Sequence, residues 1–215
     1  MAERLYKFLR RGSIAPFSGR EWRAGEWVTA PGELEACING VHVCRPQDLP
    51  YWLADELWLV DVDGERLEHP QKLVVRRARL RSRVDDWPRP VARAFATDCV
   101  WRIRNLAVDE LERTAQPEAD ELKACRSLSA LGEAAGKGAR RRRPDRPAAA
   151  AEFLGYATDA VEFAQSRDAV AARYVSYVAA HAADRAEPGE RLAPGETRFA
   201  RERERQAGKL EELGV

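Results

Sequence analysis

The stretch Lys72-Leu-Val-Val-Arg-Arg-Ala-Arg-Leu-Arg-Ser-Arg-Val84 has an unusual strand pattern, because arginine alternates with small or apolar residues through its second half. Successive side chains of a strand point to opposite faces, so residues two apart share a face. The alternation therefore predicts a strand with one basic face and one small or apolar face. The basic face consists of Arg77, Arg79, Arg81 and Arg83.

The sequence before residue 88 contains several further segments that the alternation of side chains predicts to be strands. Six Gly and Pro residues between positions 12 and 35 predict a long loop or short irregular strands. Asn39-Gly40 is a turn signal, since this dipeptide accepts positive φ. The predicted strands are Arg4–Leu9, Val41–Cys44 and Leu57–Val62, the last ending at Asp63-Gly64, and a short helix covers Leu49–Leu53.

After residue 88 the apolar residues recur at helical spacing. The predicted helices are Val91–Gln116, Glu118–Ala135, Ala148–Gln165, Asp168–Ala186 (with Asp168 as N-cap) and Glu196–Leu213. Residues 136–147 are basic and bounded by Gly and Pro, which predicts a mobile, solvated linker. We therefore expect an α+β fold: a small mixed or antiparallel sheet unit over residues 1–88, followed by a helical unit over residues 89–215.

Composition narrows the classes of function. The chain has 215 residues, with 36 basic and 35 acidic side chains and a net charge of +1, which argues against nucleic acid as a partner. No apolar run approaches the roughly 18 residues of a membrane span, which predicts no membrane partner. Four cysteines without an export signal predict reduced thiols and a cytoplasmic location. The excess of arginine over lysine is typical of GC-rich bacterial coding.

The segment Cys37-Ile-Asn-Gly-Val-His-Val-Cys44 concentrates sulfur and imidazole. Cys37, His42 and Cys44 are ligand types that zinc accepts, and His42 and Cys44 share one face of the predicted strand. The alternative interpretation is that both cysteines are small buried apolar residues, as free cysteines often are. Zinc is therefore the cofactor of one alternative hypothesis.

Arginine and tryptophan supply candidate ligand-binding residues. The arginine face, with Arg77 and Arg79, can hold phosphates bidentately, or it can be the solvated face of a strand balanced by nearby acidic residues. Trp22 and Trp27 lie in the Gly- and Pro-rich loop, where an aromatic wall for a ligand is one interpretation.

Two resemblances concern residues 4–84. The Cys-x-x-Gly-x-His-x-Cys stretch and the Leu-Trp-Leu-Val-Asp-Val-Asp-Gly strand resemble an uncharacterised family of phage and actinobacterial proteins. More weakly, Arg11-Gly12 and Gly40-Val-His42 resemble the first two core elements of ADP-ribosyltransferases, with Glu68 or Gln71 in place of the late glutamate. That resemblance implies NAD as a cofactor, and a catalytic set of Arg11, His42 and Glu68 or Gln71. The glutamate of such a set stabilises an oxocarbenium-like transition state.

Three hypotheses follow. The first is a cytoplasmic bacterial binding or interaction protein that recognises an unknown protein or small molecule, with nucleotide binding by the N-terminal unit as an option. The second is an NAD-dependent ADP-ribosyltransferase. The third is a small zinc-stabilised protein.

Overall fold

The computed structural model describes residues 3–87, 90–141, 143–165, 169–186, 192 and 196–215. Its strands are β1 (Leu5–Leu9), β2 (Val28–Thr29), β3 (Val41–Val43), β4 (Glu56–His69) and β5 (Lys72–Arg83). Its helices are α1 (Leu49–Trp52), α2 (Val91–Arg113), α3 (Glu118–Ala124), α4 (Leu128–Arg140), α5 (Ala148–Gln165), α6 (Ala169–Arg185) and α7 (Arg198–Glu212). The α+β prediction is confirmed.

The chain divides into two compact units, which differ slightly from the predicted 1–88 and 89–215. The first, here called the barrel unit, comprises Met1–Ala92 and Ala207–Val215, and the second, the helical unit, comprises Arg93–Gln206. The predicted boundary at residue 88 and the predicted N-cap Asp168 lie outside the described residues. None of the helices within the described ranges combines the length and the apolar character needed to cross a membrane.

A long antiparallel hairpin of β4 and β5 organises the barrel unit. The prediction that the first of these strands ends at Asp63-Gly64 is wrong, since β4 continues to His69. The register shifts between Asp63 and Arg66, which marks a bulge. Gly64 suits the bulge because its φ is +81° and a Cβ there would lie 2.9 Å from the Cβ of Arg76. Asp63-Gly64, which was predicted to end the strand, is thus a bulge inside a continuous strand.

Antiparallel pairing brings this sheet round into a small, partly open barrel. β1 pairs with β4, and β3 pairs with the first half of β5 while β2 pairs with its second half. Tyr6 and Cys44 then exchange two backbone hydrogen bonds of 2.8 and 2.7 Å, which joins β1 to the end of β3. The interior is filled by buried apolar side chains, including Leu9, Val43 and Leu73.

The helical unit departs from prediction between residues 118 and 140. One helix was expected over Glu118–Ala135, but the chain is extended at Cys125 and a new helix begins after Ser127, whose hydroxyl accepts a 3.2 Å hydrogen bond from the amide of Ala130. This helix, α4, continues to Arg140. The prediction that a linker starts at residue 136 is therefore wrong. Gly138 permits close packing here, because a Cβ would lie 3.1 Å from the side chain of Glu118.

The basic segment after α4 converges on one buried carboxylate. Glu118 has no exposed surface, and Arg146 donates to its Oε1 from 2.7 Å. Arg141 and Arg143 place guanidinium nitrogens 3.7 Å from the same carboxylate. Arg146 also donates to the carbonyl oxygen of Gly138 at 2.9 Å, where α4 is ending. These arginines form a charge-compensating cluster rather than the predicted solvated run.

Replacing Glu118 with alanine should destabilise the protein by about 3–5 kcal/mol, because Arg146 would remain buried without a counter-charge. Urea denaturation measures the change in the free energy of unfolding. The matched control is Glu133→Ala, since Glu133 is an exposed carboxylate on α4 and its removal should cost less than about 0.5 kcal/mol. Equal losses in the two variants would contradict the assignment of the cluster.

Candidate functional site

His42 lies on β3 directly opposite Val74 of β5. Its imidazole is partly buried, and Nε2 has no hydrogen-bond partner among the described residues. Burial, together with the positive charges of Lys72 and Lys7, lowers the pKa of His42 from 6.5 to about 4. The side chain is therefore neutral at physiological pH and is not charged to act as an acid.

Lys7, on β1, is a member of this region that sequence reasoning missed. Its ammonium group donates to the carbonyl oxygen of His42 at 2.7 Å and lies 4.7 Å from the centroid of the Trp22 ring. Burial lowers the pKa of Lys7 to about 8. Trp22 is only 5% exposed, so it packs against this lysine in the core and presents no open wall to a ligand.

The two cysteines of the 37–44 segment have different surroundings. Cys37 is exposed in a turn with a φ of +69°, and its sulfur lies 3.0 Å from the ammonium nitrogen of Lys72. Cys44 is buried, and burial raises its pKa to about 12. Within the described ranges, no three His, Cys, Asp or Glu side chains are arranged to hold a metal ion. Cys37, His42 and Cys44 therefore do not form the predicted zinc site.

The predicted transferase residues do not converge. The amide of Arg11 donates to Asp55 at 3.1 Å, just before β4 begins. Glu68 lies near the other end of β4, roughly 40 Å away along a strand that rises about 3.3 Å per residue. There it is an exposed carboxylate paired with Arg45 at 2.6 Å.

Gln71 and His42 complete the predicted set. Gln71 is exposed in the turn between β4 and β5, where its carbonyl oxygen accepts a hydrogen bond from the indole of Trp52. His42 lies two strands from Leu67, the neighbour of Glu68, because both flank Val74. The fold thus places Arg11 apart from the other three.

Trp27, Arg77 and Arg79, by contrast, come together on the outside of the barrel. The guanidinium carbons of Arg77 and Arg79 lie 4.8 and 4.9 Å from the centroid of the Trp27 ring, which is 37% exposed. Residue Val28 pairs with Ala78, and this pairing carries Trp27 to the arginine face of β5. Cation–π contacts of this length are attractive.

Two aspartates of β4 complete the cluster, which we call the tryptophan–arginine platform. Asp61 lies opposite Arg79 and Asp63 lies opposite Arg77 in the β4–β5 register. Arg79 Nε donates to Asp61 at 3.0 Å, and Arg77 Nε donates to Asp63 at 2.8 Å. The hydrogen bond from Arg77 lowers the pKa of Asp63. The period-two spacing of Asp61 and Asp63 in sequence is the signal that could have predicted these partners.

The remaining two arginines of the face are engaged differently. Arg81 reaches Asp61 only at 3.8 Å and keeps 56% of its side chain exposed. A register shift opposite Leu59 and Val60 follows, and Arg83 contacts Glu56 at 3.8 Å instead. The platform therefore consists of Trp27, Asp61, Asp63, Arg77, Arg79 and Arg81, with one more positive than negative charge.

Comparisons with family models, with curated proteins and with solved structures give no match to this chain.

Titration of His42 should make the protein less stable in acid. The pKa of the imidazole is about 4 in the native state and 6.5 in the unfolded chain, so between these values the unfolded state binds more protons. Stability contributed by the neutral imidazole is therefore present above pH 6.5 and lost as the pH falls toward 4. A His42→Gln variant should lose less stability across that window, as measured by urea denaturation at several pH values. The same pH dependence in both proteins would contradict this role.

Cys37 should be the fast-reacting thiol of the native protein. Alkylation requires the thiolate, and burial raises the pKa of Cys44, Cys99 and Cys125. We expect iodoacetamide to modify Cys37 first, with the sites followed by peptide mass spectrometry. A Cys37→Ser variant should lose the fast phase. Early modification of Cys44 in the folded protein would be inconsistent with its burial.

Proposed function

We propose that this protein is an interaction protein whose barrel unit binds acidic segments of a partner through the tryptophan–arginine platform. The observation that carries the proposal is the partly exposed indole of Trp27 within 5 Å of the guanidinium groups of both Arg77 and Arg79. Tryptophan and arginine are the residues most enriched at the energetic centres of protein interfaces. The proposal develops the first of the three sequence-based hypotheses.

The geometry supports recognition of carboxylates. Asp61 and Asp63 orient the two guanidinium groups, while 42% of the Arg79 side chain and 44% of the Arg77 side chain stay exposed. A guanidinium group has five N–H donors, so a single aspartate leaves donors free for a second acceptor. Arg81 adds a largely exposed positive charge beside them. An acidic segment would thus meet pre-oriented donors next to an aromatic surface.

A protein partner is favoured over nucleic acid. The net charge of +1 gives the chain little long-range attraction for a polyanion. The platform offers one exposed indole, whereas proteins that bind single-stranded nucleic acids stack successive bases on several aromatic rings. The ADP-ribosyltransferase alternative remains a prediction from resemblance, and the separation of Arg11 from Glu68 lends it no geometric support.

The proposal predicts that a fluorescein-labelled oligo-glutamate peptide binds the full chain, with affinity measured by fluorescence anisotropy. Trp27→Ala and Arg79→Ala should each weaken binding by about tenfold or more, because each removes part of the platform centre. Arg20→Ala is the matched control, since Arg20 is an exposed arginine of the same unit that is not part of the platform. Added salt should weaken binding.

Three outcomes would refute the proposal. The first is no binding of the peptide by the wild-type chain. The second is equal affinity in Trp27→Ala and wild type, with thermal melting showing both proteins folded. The third is a marked preference for a labelled DNA single strand of equal charge, which would point to nucleic acid instead.

A further inference from the structure

A cavity of about 640 Å³ lies within the helical unit, between α2, the C-terminal end of α6, and α7. Its volume falls within the range of about 300–1,000 Å³ typical of small-molecule sites. Part of the wall is apolar, formed by Leu106, Ala183, Ala186 and Leu192. The rest is dominated by five arginines, Arg102, Arg113, Arg198, Arg201 and Arg205.

Buried carboxylates hold several of these arginines in place. The Glu202 side chain is only 2% exposed, and it accepts from Arg102 Nε at 3.1 Å and from Arg205 Nε at 2.9 Å. The two arginine side chains themselves are 37% and 34% exposed. The negative charge therefore lies in the interior and the two arginines are partly exposed, although Nη2 of Arg205 is buried without a hydrogen-bond partner among the described residues.

Arg113 and Arg201 are oriented in a similar manner. Arg113 makes a two-point contact with the buried Glu110, with N···O distances of 2.9 and 2.7 Å. Arg201 makes a two-point contact with Glu196, at 2.8 and 3.2 Å. Guanidinium groups fixed by carboxylates in this way lose little further side-chain entropy when they bind a ligand.

Arg198 differs from the other four arginines. It is the first residue of α7 and is partly exposed at the cavity wall, and it makes no hydrogen bond or ion pair with any described residue. The wall carries five arginines against Asp109, Glu110 and Glu202, and Glu196 and Asp98 pair in addition with Arg201 and Arg205. The wall is therefore close to neutral as a whole, but it presents one guanidinium group, that of Arg198, with no partner among the described residues.

We propose that this cavity is a binding site for a small organic oxyanion, a carboxylate or a phosphate ester. Its anionic group pairs with Arg198 and with the remaining donors of Arg102 and Arg205, and its apolar part packs against Leu106 and Ala183. Planar guanidinium donors match the geometry of both oxyanions. The site is in a different unit from the tryptophan–arginine platform and does not depend on it.

Isothermal titration calorimetry of the full chain tests the site with three probes: octanoate, the neutral octanamide and inorganic phosphate. We expect octanoate to bind and octanamide to bind at least about tenfold more weakly, since it lacks the charge. Arg198→Gln should weaken octanoate binding by about tenfold or more. Arg173→Gln, an exposed arginine of α6 outside the cavity wall, should leave it unchanged.

Phosphate distinguishes the two ligand classes. Binding of phosphate that is lost in Arg198→Gln would support the site and identify a phosphate ester as the ligand class, whereas octanoate binding alone identifies a carboxylate. The proposal is overturned if neither anion binds at about 10 mM. Equal affinities for octanoate and octanamide, or an unchanged affinity in a folded Arg198→Gln variant, would overturn it as well.

Discussion

A carboxylate that leaves water needs compensation, and each buried carboxylate among the described residues lies within 4 Å of an arginine nitrogen. The buried acidic residues of the described chain are Asp48, Glu56, Glu110, Glu118 and Glu202. Their partners are, in the same order, Arg45, Arg83, Arg113, Arg146, and the pair Arg102 and Arg205. Removing the arginine of such a pair leaves a buried carboxylate without its counter-charge. These ion pairs therefore hold in place chain segments whose conformation is not determined by the local sequence alone.

The same constraint explains why the overall charge says little about function. Basic and acidic residues nearly cancel over the whole chain, and many of them form ion pairs in the structure. Guanidinium donors stay available where a carboxylate engages only part of an arginine, or where an arginine has no carboxylate partner among the described residues. The tryptophan–arginine platform and the wall of the helical cavity are two such places. Arginine suits both roles because its planar group can face a carboxylate and still keep donors for another acceptor.

Periodic patterns predicted the parts of the fold that depend on local sequence. The period-two alternation gave β5 to within one residue, and helical spacing gave α5 with its observed ends. Glycine residues led to wrong predictions of element ends where tertiary packing determines the structure. Gly64 is a bulge rather than a strand end, and the glycines at 136 and 138 lie inside α4, since small residues allow a close approach of neighbouring chain there.

The candidate site was predictable only in part, for the same reason. Alternation placed Arg77 and Arg79 on one face, but the arrival of Trp27 beside them depends on the non-local pairing of Val28 with Ala78. Proximity in sequence did not predict the contacts of Cys37, because the turn directs its sulfur to Lys72 rather than to His42 or Cys44. Lys7 and the arginines of the cavity wall do not belong to any local sequence motif that would have predicted them. They become a group only when distant elements pack together.

Residues 61–69 of β4 affect the tendency of the protein to self-associate at high concentration. β1 pairs only with residues 56–60 of this strand, so residues 61–69 have one edge that no described strand covers. An open edge of this length can recruit a strand from another molecule and start aggregation. Here the edge carries Asp61, Asp63, Glu65, Arg66 and Glu68, and the bulge at Gly64 bends it. The charges that orient the platform thus also protect the molecule against self-association.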